Sequence, residues 1–240
     1  MGADYSWLNH LSRVGWAWEF LRRNPDYRGD YARQDDRRDA ALWGLKSFED
    51  PLLDARHAAV FWRSDWCPAV LPVTARPLLR GETSSLTEEK LACLTKVLPH
   101  HDGNGADVLF NTDGRLLQLE LTGSASFAEV ALSAAVIPMP EPASARVLAI
   151  RRFTHLVASG SLRPMLYPPE RRAPRLTKVL IALDCWQERQ SYRDIAVRLH
   201  GQRRVDEQWN DPRDHLRDQI RRAVYYGRNL MTGGYRQFLH

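Results

Sequence analysis

The side chains in this chain best suited to chemistry are arginines, and their spacing over residues 212–232 is helical. At 100° per residue Arg217, Arg221 and Arg228 fall within about 40° of one another, with Arg213 close by. Arg222 lies on the opposite flank and Tyr225 between them. Leu216, Ile220, Ala223, Gly227 and Leu230 fall within roughly 80° and form an apolar seam beside the row. A planar guanidinium can bind a phosphate or fork onto the O6 and N7 atoms of guanine, and the residue order leaves both uses open. A helix with one narrow apolar seam flanked by arginines suits the major groove of DNA. The plainer alternative is a solvated face whose arginines pair with acids; the nearby acids are Asp214 and Asp218, and neither falls on the row. Arg193, Arg203 and Arg204, from the preceding segments, are candidates for further phosphate contacts.

Other chemistry finds less support. His100-His101-Asp102 has adjacent histidines that diverge on a helix and alternate on a strand, and nothing nearby completes a metal site. Gly103-Asn104-Gly105 is too short for a phosphate-binding loop, and no Gly-x-x-x-x-Gly-Lys occurs. Cys67, Cys93 and Cys185 are odd in number and far apart, which suggests neither disulfides nor a metal. No nucleophile–base set is visible, so neither a cofactor, a metal nor an enzymatic role is expected.

Three helical segments carry the arginines. The first spaces Leu176, Val179, Leu180, Leu183 and Trp186 helically up to Glu188. Ser191-Tyr192-Arg193-Asp194 opens the second, with a Ser N-cap and an acid three residues on, and turns Tyr192, Ile195, Ala196 and Leu199 inward up to Gly201. The third starts from Asp211 as N-cap with Pro212 at its first position, and Gly233-Gly234 stops it. A standard turn between the two helices of a helix-turn-helix is three or four residues. Here residues 201–210 intervene, so either the motif is absent or its turn is enlarged, with Trp209 packing the turn back.

Ahead of these, residues 16–23 read as an apolar helix, and Asn24-Pro25 caps a second in which Tyr27 and Tyr31 share a face. Trp16, Trp18, Phe20, Tyr27 and Tyr31 suit a contact between domains or with a partner protein. Residues 34–38 are a charge cluster expected to be exposed. Residues 57–62 read as a short strand, and 68–73 as an edge strand or an irregular extended segment because of Pro68 and Pro72. Residues 83–98 read as a loop and a helix, with a weak start at Thr87-Glu88-Glu89-Lys90. Residues 107–110 and 115–121 form a hairpin around Asp113-Gly114, a strong turn signal, with Leu117, Leu119 and Leu121 alternating as in a half-buried strand. Three prolines make residues 138–145 a linker candidate, and residues 164–174 a second break. The expected class is α+β: a small helical N-terminal domain, short strands and a hairpin in the middle, and a C-terminal three-helix helix-turn-helix variant with a long turn. The expected divisions are residues 1–80, a linker region 81–104, and 105–240.

Charge supports a division of labour. Residues 145–240 hold 19 Lys and Arg against 9 Asp and Glu, a net of +10, whereas the preceding 144 residues net −5. One half thus suits nucleic acid and the other a different task. No run approaches the 18 apolar residues of a membrane span and no signal-peptide layout is present, so a cytoplasmic location is expected and no membrane partner.

The blocks Arg171-Arg172-Ala173-Pro174-Arg175-Leu176, Leu183-Asp184, Ser191-Tyr192-Arg193-Asp194-Ile195-Ala196, Leu216-Arg217-Asp218-Gln219-Ile220-Arg221-Arg222, Gly227-Arg228-Asn229-Leu230-Met231 and Gly233-Gly234-Tyr235-Arg236 resemble, over roughly residues 105–240, the extended-turn helix-turn-helix domain of proteobacterial integrative and conjugative elements. The stretch from Trp16 through Asn24-Pro25-Asp26-Tyr27 resembles the small transcriptional-regulator-like domain that precedes it. Together they are similar to the frameshifted excision activators of such elements. The resemblance implies a promoter-binding activator of excision and transfer genes whose basic face meets double-stranded DNA. It implies that the opposite face meets the N-terminal domain, and that acidic single-domain antiactivators compete for that domain. A regulator acting only by domain sequestration, and an architectural DNA-bending protein of the excisionase kind, are the alternatives.

Overall fold

The computed structural model describes residues 4–33, 37–84, 86, 93–123, 130–134, 143–209, 211 and 215–240. The expected charge cluster at 34–38 and the helix start at 87–90 lie wholly or mainly outside them; Pro212 does too, but the helix expected to begin from Asp211 starts instead at Leu216, with His215 before it. Two helices open the chain, α1 (Arg13–Leu21) and α2 (Pro25–Arg33). Asn24 caps α2 as expected: its Oδ1 accepts from the Asp26 backbone N–H at 2.8 Å, and Pro25 gives up no helical hydrogen bond at the first position. A short helix α3 (Arg37–Leu42) follows.

The middle is a five-stranded sheet of β1 (Leu71–Pro77), β2 (Leu94–Pro99), β3 (Gly105–Thr112), β4 (Arg115–Thr122) and β5 (Val130–Ser133), in the order β2-β3-β4-β1-β5. The β3–β4 hairpin turns on Asp113 and Gly114, both at positive φ (52° and 80°), the two-residue turn whose twist matches that of its strands. β1 is not an edge strand: it lies between β4, which it meets in parallel, and β5. Pro72 is tolerated because, among the described residues, pairing with β5 starts only at Thr74, which leaves one side of the proline without a described strand neighbour. Residues 94–98, expected to be helical, belong to β2, where β-branched Thr95 and Val97 extend along the open edge of β3.

Residues 57–62 form no strand either; His57 is an exposed turn residue, and 58–62 run buried without a strand ladder, with one bridge from Trp62 to Leu45. Gln118 supplies the missing ladder. Its side-chain oxygen accepts from the Trp62 backbone N–H at 2.9 Å and its amide nitrogen donates to the Trp62 carbonyl at 2.8 Å. β4 is therefore covered on both faces rather than half-buried. Leu117, Leu119 and Leu121 face α4 (Ala143–Ser159) and pack with its Ala149, Phe153 and Leu156. The other face meets Phe61 and an ionic cluster in which Lys46 Nζ lies 2.5 Å from Glu120 and 3.5 Å from Asp107. The expected linker at 138–145 overlaps the first turn of α4; its residues 138–142 lie outside the described residues. Sheet strands thus come from both sides of the expected divisions at 80 and 104.

The C-terminal helices are α5 (Ala173–Gln187), α6 (Tyr192–His200), α7 (Gln202–Gln208) and α8 (Leu216–Met231). Pro174 does not break this region but sits in the first turn of α5, where its missing N–H costs nothing. The enlarged turn is itself folded: α7 fills it, pinned by Val205, with Trp209 half-buried against the same cluster. A second core joins the two ends of the chain. Trp16, Phe20 and Leu21 of α1 pack with Leu176, Leu180 and Leu183 of α5, with Leu230 of α8, and with Phe238. Each such side chain, fully buried, contributes roughly 1.5–3 kcal/mol.

Candidate nucleic-acid interface

The arginine row stands on α8, and the burial of that helix follows its sequence pattern. Leu216, Ile220, Val224, Gly227, Leu230 and Met231 are buried, while Arg217, Arg221, Arg222, Tyr225 and Arg228 are exposed. Val224 joins the expected seam, whereas Ala223 is only half-buried. The seam is clamped on two sides. Leu216, Ile220 and Val224 meet Ile195 and Ala196 of α6 and Val205 of α7. At Gly227 α8 comes so close to α5 that an added Cβ would lie 3.1 Å from Leu183 Cβ and 3.2 Å from the Val179 carbonyl oxygen, so only glycine fits without a shift. The arginine face is thereby fixed outward by packing rather than by its own contacts.

The ends of the supporting helix are also set locally. Ser191 and Asp194 form a reciprocal capping box on α6: the Ser191 hydroxyl accepts from the Asp194 backbone N–H at 3.2 Å, and the Asp194 carboxylate accepts from the Ser191 N–H at 3.2 Å. Ile195 and Ala196 point inward as expected, Leu199 is half-buried, and Tyr192 is exposed instead.

The arginines differ in their partners. Arg217 has no acidic partner among the described residues, and Arg228 lays its guanidinium 4.5 Å from the Trp186 ring centre. Arg221 lies 3.1 Å from Asp218, one turn back, so that acid does reach the row. Arg222 donates to the Asp218 carbonyl at 3.2 Å. Arg193 bridges α6 to α7 through Asp206 at 2.8 Å, Arg203 pairs with Glu207 at 3.3 Å, and Arg204 donates to Gln208 at 2.8 Å. All these pairs are exposed, each worth roughly 0.2–1 kcal/mol, and a phosphate can displace the carboxylate. Arg213 lies outside the described residues. Two further exposed groups accompany the expected set: Arg198 on α6, with no acidic partner among the described residues, and Tyr225, 65% exposed between the arginines of α8. Arg198 was within reach of the helical pattern of residues 192–200, since it falls off the Ile195–Ala196 face.

The aromatic residues expected to meet another domain or a partner lie inside. Trp16, Trp18, Phe20 and Tyr27 are fully buried, and Phe20 stacks on Phe238 with ring centres 6.0 Å apart. Tyr31 is half-buried against Phe48. Polar contacts reinforce this junction: Arg23 forks onto Asp184 of α5 (2.5 and 3.0 Å) and also reaches Glu19, and Tyr5 donates to Asp184 at 2.7 Å. Burial opposes the Arg23 charge, yet the bonds from Asp184 and Glu19 outweigh it and raise its pKa. Among the described residues no cluster of three or more His, Cys, Asp and Glu side chains is placed to hold a metal, and His100 instead pairs with buried Asp107 at 3.1 Å. The three cysteines are free thiols. Among the described residues no helix is long and apolar enough to cross a membrane.

The module has four helices, α5 to α8, rather than the expected three, because α7 folds within the long turn. Packed so that an arginine-rich helix turns its charged face outward, it has the architecture of a DNA-binding regulator. Comparison with protein families agrees. Residues 136–240 match the family model described as the DNA-binding domain of a T6SS transcription factor, and residues 2–48 match the proteobacterial transcriptional regulator-like domain. No curated protein matches the chain. The protein is a DNA-binding transcriptional regulator, similar to these two domain families over the matched residues.

Proposed function

We propose that the protein binds a promoter with α8 in the major groove and activates the genes behind it. The observation that carries this reading is the exposed side of α8, where Arg217, Arg221 and Arg228 form one row beside the seam and Arg222 stands on the other flank, the seam itself being held by α5, α6 and α7. Arg217, without an acidic partner among the described residues, and Arg221 are the leading candidates for phosphate or base contacts. Arg193, Arg203, Arg204 and Arg213 supply flanking phosphate contacts. The matched domain carries a transcription-factor description, and the similarity to excision activators makes excision and transfer genes of a conjugative element the proposed target. An acidic single-domain antiactivator, if it competes for the N-terminal helices, has to displace the chain's own α5 and Phe238 from Trp16 and Phe20.

The test is footprinting upstream of the neighbouring genes at two salt concentrations, with the wild type and an Arg217→Glu/Arg221→Glu double variant. Wild type protects a defined site, and its affinity falls steeply with salt. The double variant, with an unchanged circular dichroism spectrum, loses the site by at least about a hundredfold. Retained, salt-sensitive protection in the variant overturns the assignment to α8. Protection of secretion genes but not transfer genes overturns the proposed target and keeps the DNA-binding mode.

A further inference from the structure

The core that joins the chain ends does not meet the sheet flush. Between the core that joins the chain ends and the face of the sheet lies a cavity of about 140 Å³. Its wall is mostly apolar and draws on Val60, Trp62, Val70, Leu109 and Leu148, with two arginines in it, Arg13 of α1, which pairs with Glu170, and Arg152 of α4. Cys67 also lines it, and burial pushes that thiol up to about 11, so it remains a neutral wall group.

Arg152 is the feature that packing alone leaves unexplained. Its Nε donates to the Leu166 carbonyl at 2.9 Å, and its guanidinium lies 4.0 Å from the centre of the Tyr167 ring. These two contacts fix the plane of the fork. Among the described residues, by contrast, its terminal nitrogens have neither a hydrogen-bond partner nor an acidic counter-charge. Burial pulls the pKa of this guanidinium below its ordinary value, the direction expected of a cation partly removed from water without an anion. Partly buried charges are ordinarily paired, because desolvation otherwise goes uncompensated. Trp62, in the same wall, carries a buried indole N–H that likewise has no partner.

We propose that this cavity is a ligand site for a small apolar carboxylate, whose body fills the space beside Val70 and Leu148 and whose carboxylate is forked by Arg152. The size fits: a cavity of roughly 150 Å³ lined by aliphatic groups holds one benzene ring. The geometry fits as well, since a guanidinium held by its Nε and its ring face presents both terminal nitrogens to one anion. The assignment stands apart from the DNA-binding reading, because no DNA enters its test.

The full chain is titrated with 4-fluorobenzoate and, as the neutral match, 4-fluorobenzyl alcohol, each followed by fluorine NMR. The carboxylate is expected to bind saturably and at least about tenfold more tightly than the alcohol. Arg152→Met is expected to erase that preference while leaving the alcohol unchanged, and Arg152→Lys to keep part of it. Leu148→Trp, which fills the cavity from a half-buried position, is expected to weaken both ligands. Equal binding of acid and alcohol to the wild type marks the cavity as an apolar packing gap and overturns the proposal. The absence of saturable carboxylate binding to the wild type does the same, as does a preference that survives Arg152→Met. The wild-type comparison needs no variant to fold.

Discussion

Asp54 links a local turn to the pH dependence of the whole fold. Burial would raise its carboxyl, but hydrogen bonds from the Arg56 side chain and backbone, together with the His57 ring, outweigh that and bring it down to about 2. A carboxylate held below its ordinary value near 4 stabilises the fold above that value, and the contribution disappears as the pH falls through about 2. The melting temperature of Asp54→Asn should therefore lie below that of the wild type by a constant amount at pH 5–7, and the gap should close as the pH approaches 2. Because its partners Arg56 and His57 are exposed to screening solvent, the gap corresponds to less than about 1 kcal/mol. Thermal melts followed by circular dichroism across this range check it, and a gap that widens on acidification contradicts the assignment. The arginines of α8 belong to the same scale: their types and spacing were legible in the chain, whereas the reach of Asp218 to Arg221 was not. Their Cα positions sit one turn apart, and only the rotamers bring the charges to 3.1 Å.

At the scale of elements, local signals held where the chain itself satisfies them. The capping box of α6 is such a case, closed by Ser191 and Asp194 without outside help. Ser191→Ala removes the side-chain acceptor at the helix N-terminus and should destabilise the protein by about 1 kcal/mol. Urea unfolding should register this as a lower midpoint with an unchanged slope, and an unchanged midpoint would mean that α6 is held by packing alone. The Asp113-Gly114 turn and the Asn24-Pro25 cap were readable for the same reason. Elements that depend on distant partners were not. Residues 57–62 have strand composition but find their ladder partner in the Gln118 side chain, and residues 94–98 extend because β3 offers an open edge. Helix α7 hides inside an apparent turn, since its one buried anchor, Val205, gives no periodicity to read.

For the molecule as a whole, the decisive feature is the core shared by its two ends. Leu8 and Leu239 belong to one cluster, and the Arg23–Asp184 fork ties α1 to α5 across the same junction. Such a core predicts a single cooperative transition, in which calorimetry and tryptophan fluorescence coincide. Phe238→Ala should cost about 3–5 kcal/mol and lower that one transition, at about 2–4 °C per kcal/mol for a chain of this size. A separate early transition of the C-terminal half would show that the ends fold apart. The net charge of +10 over residues 145–240 and −5 over the rest now has a structural setting: the oppositely charged halves share one apolar core, and the basic side chains of α8 face outward.

By itself the sequence determined the amphipathic stripe of α8, the caps of α2 and α6, the hairpin turn, the α+β class and the basic character of the C-terminal half. Each depends on residues within a turn or two of one another, where period, cap and charge act directly. Tertiary structure decided that β4 is covered on both faces, that β1 runs inside the sheet, that the N-terminal aromatics close onto the chain's own helices, and that Arg152 borders a cavity. Those outcomes depend on contacts between residues far apart in the chain, and hydrophobic burial, being non-directional, marks a side chain for the interior without naming what it will meet there.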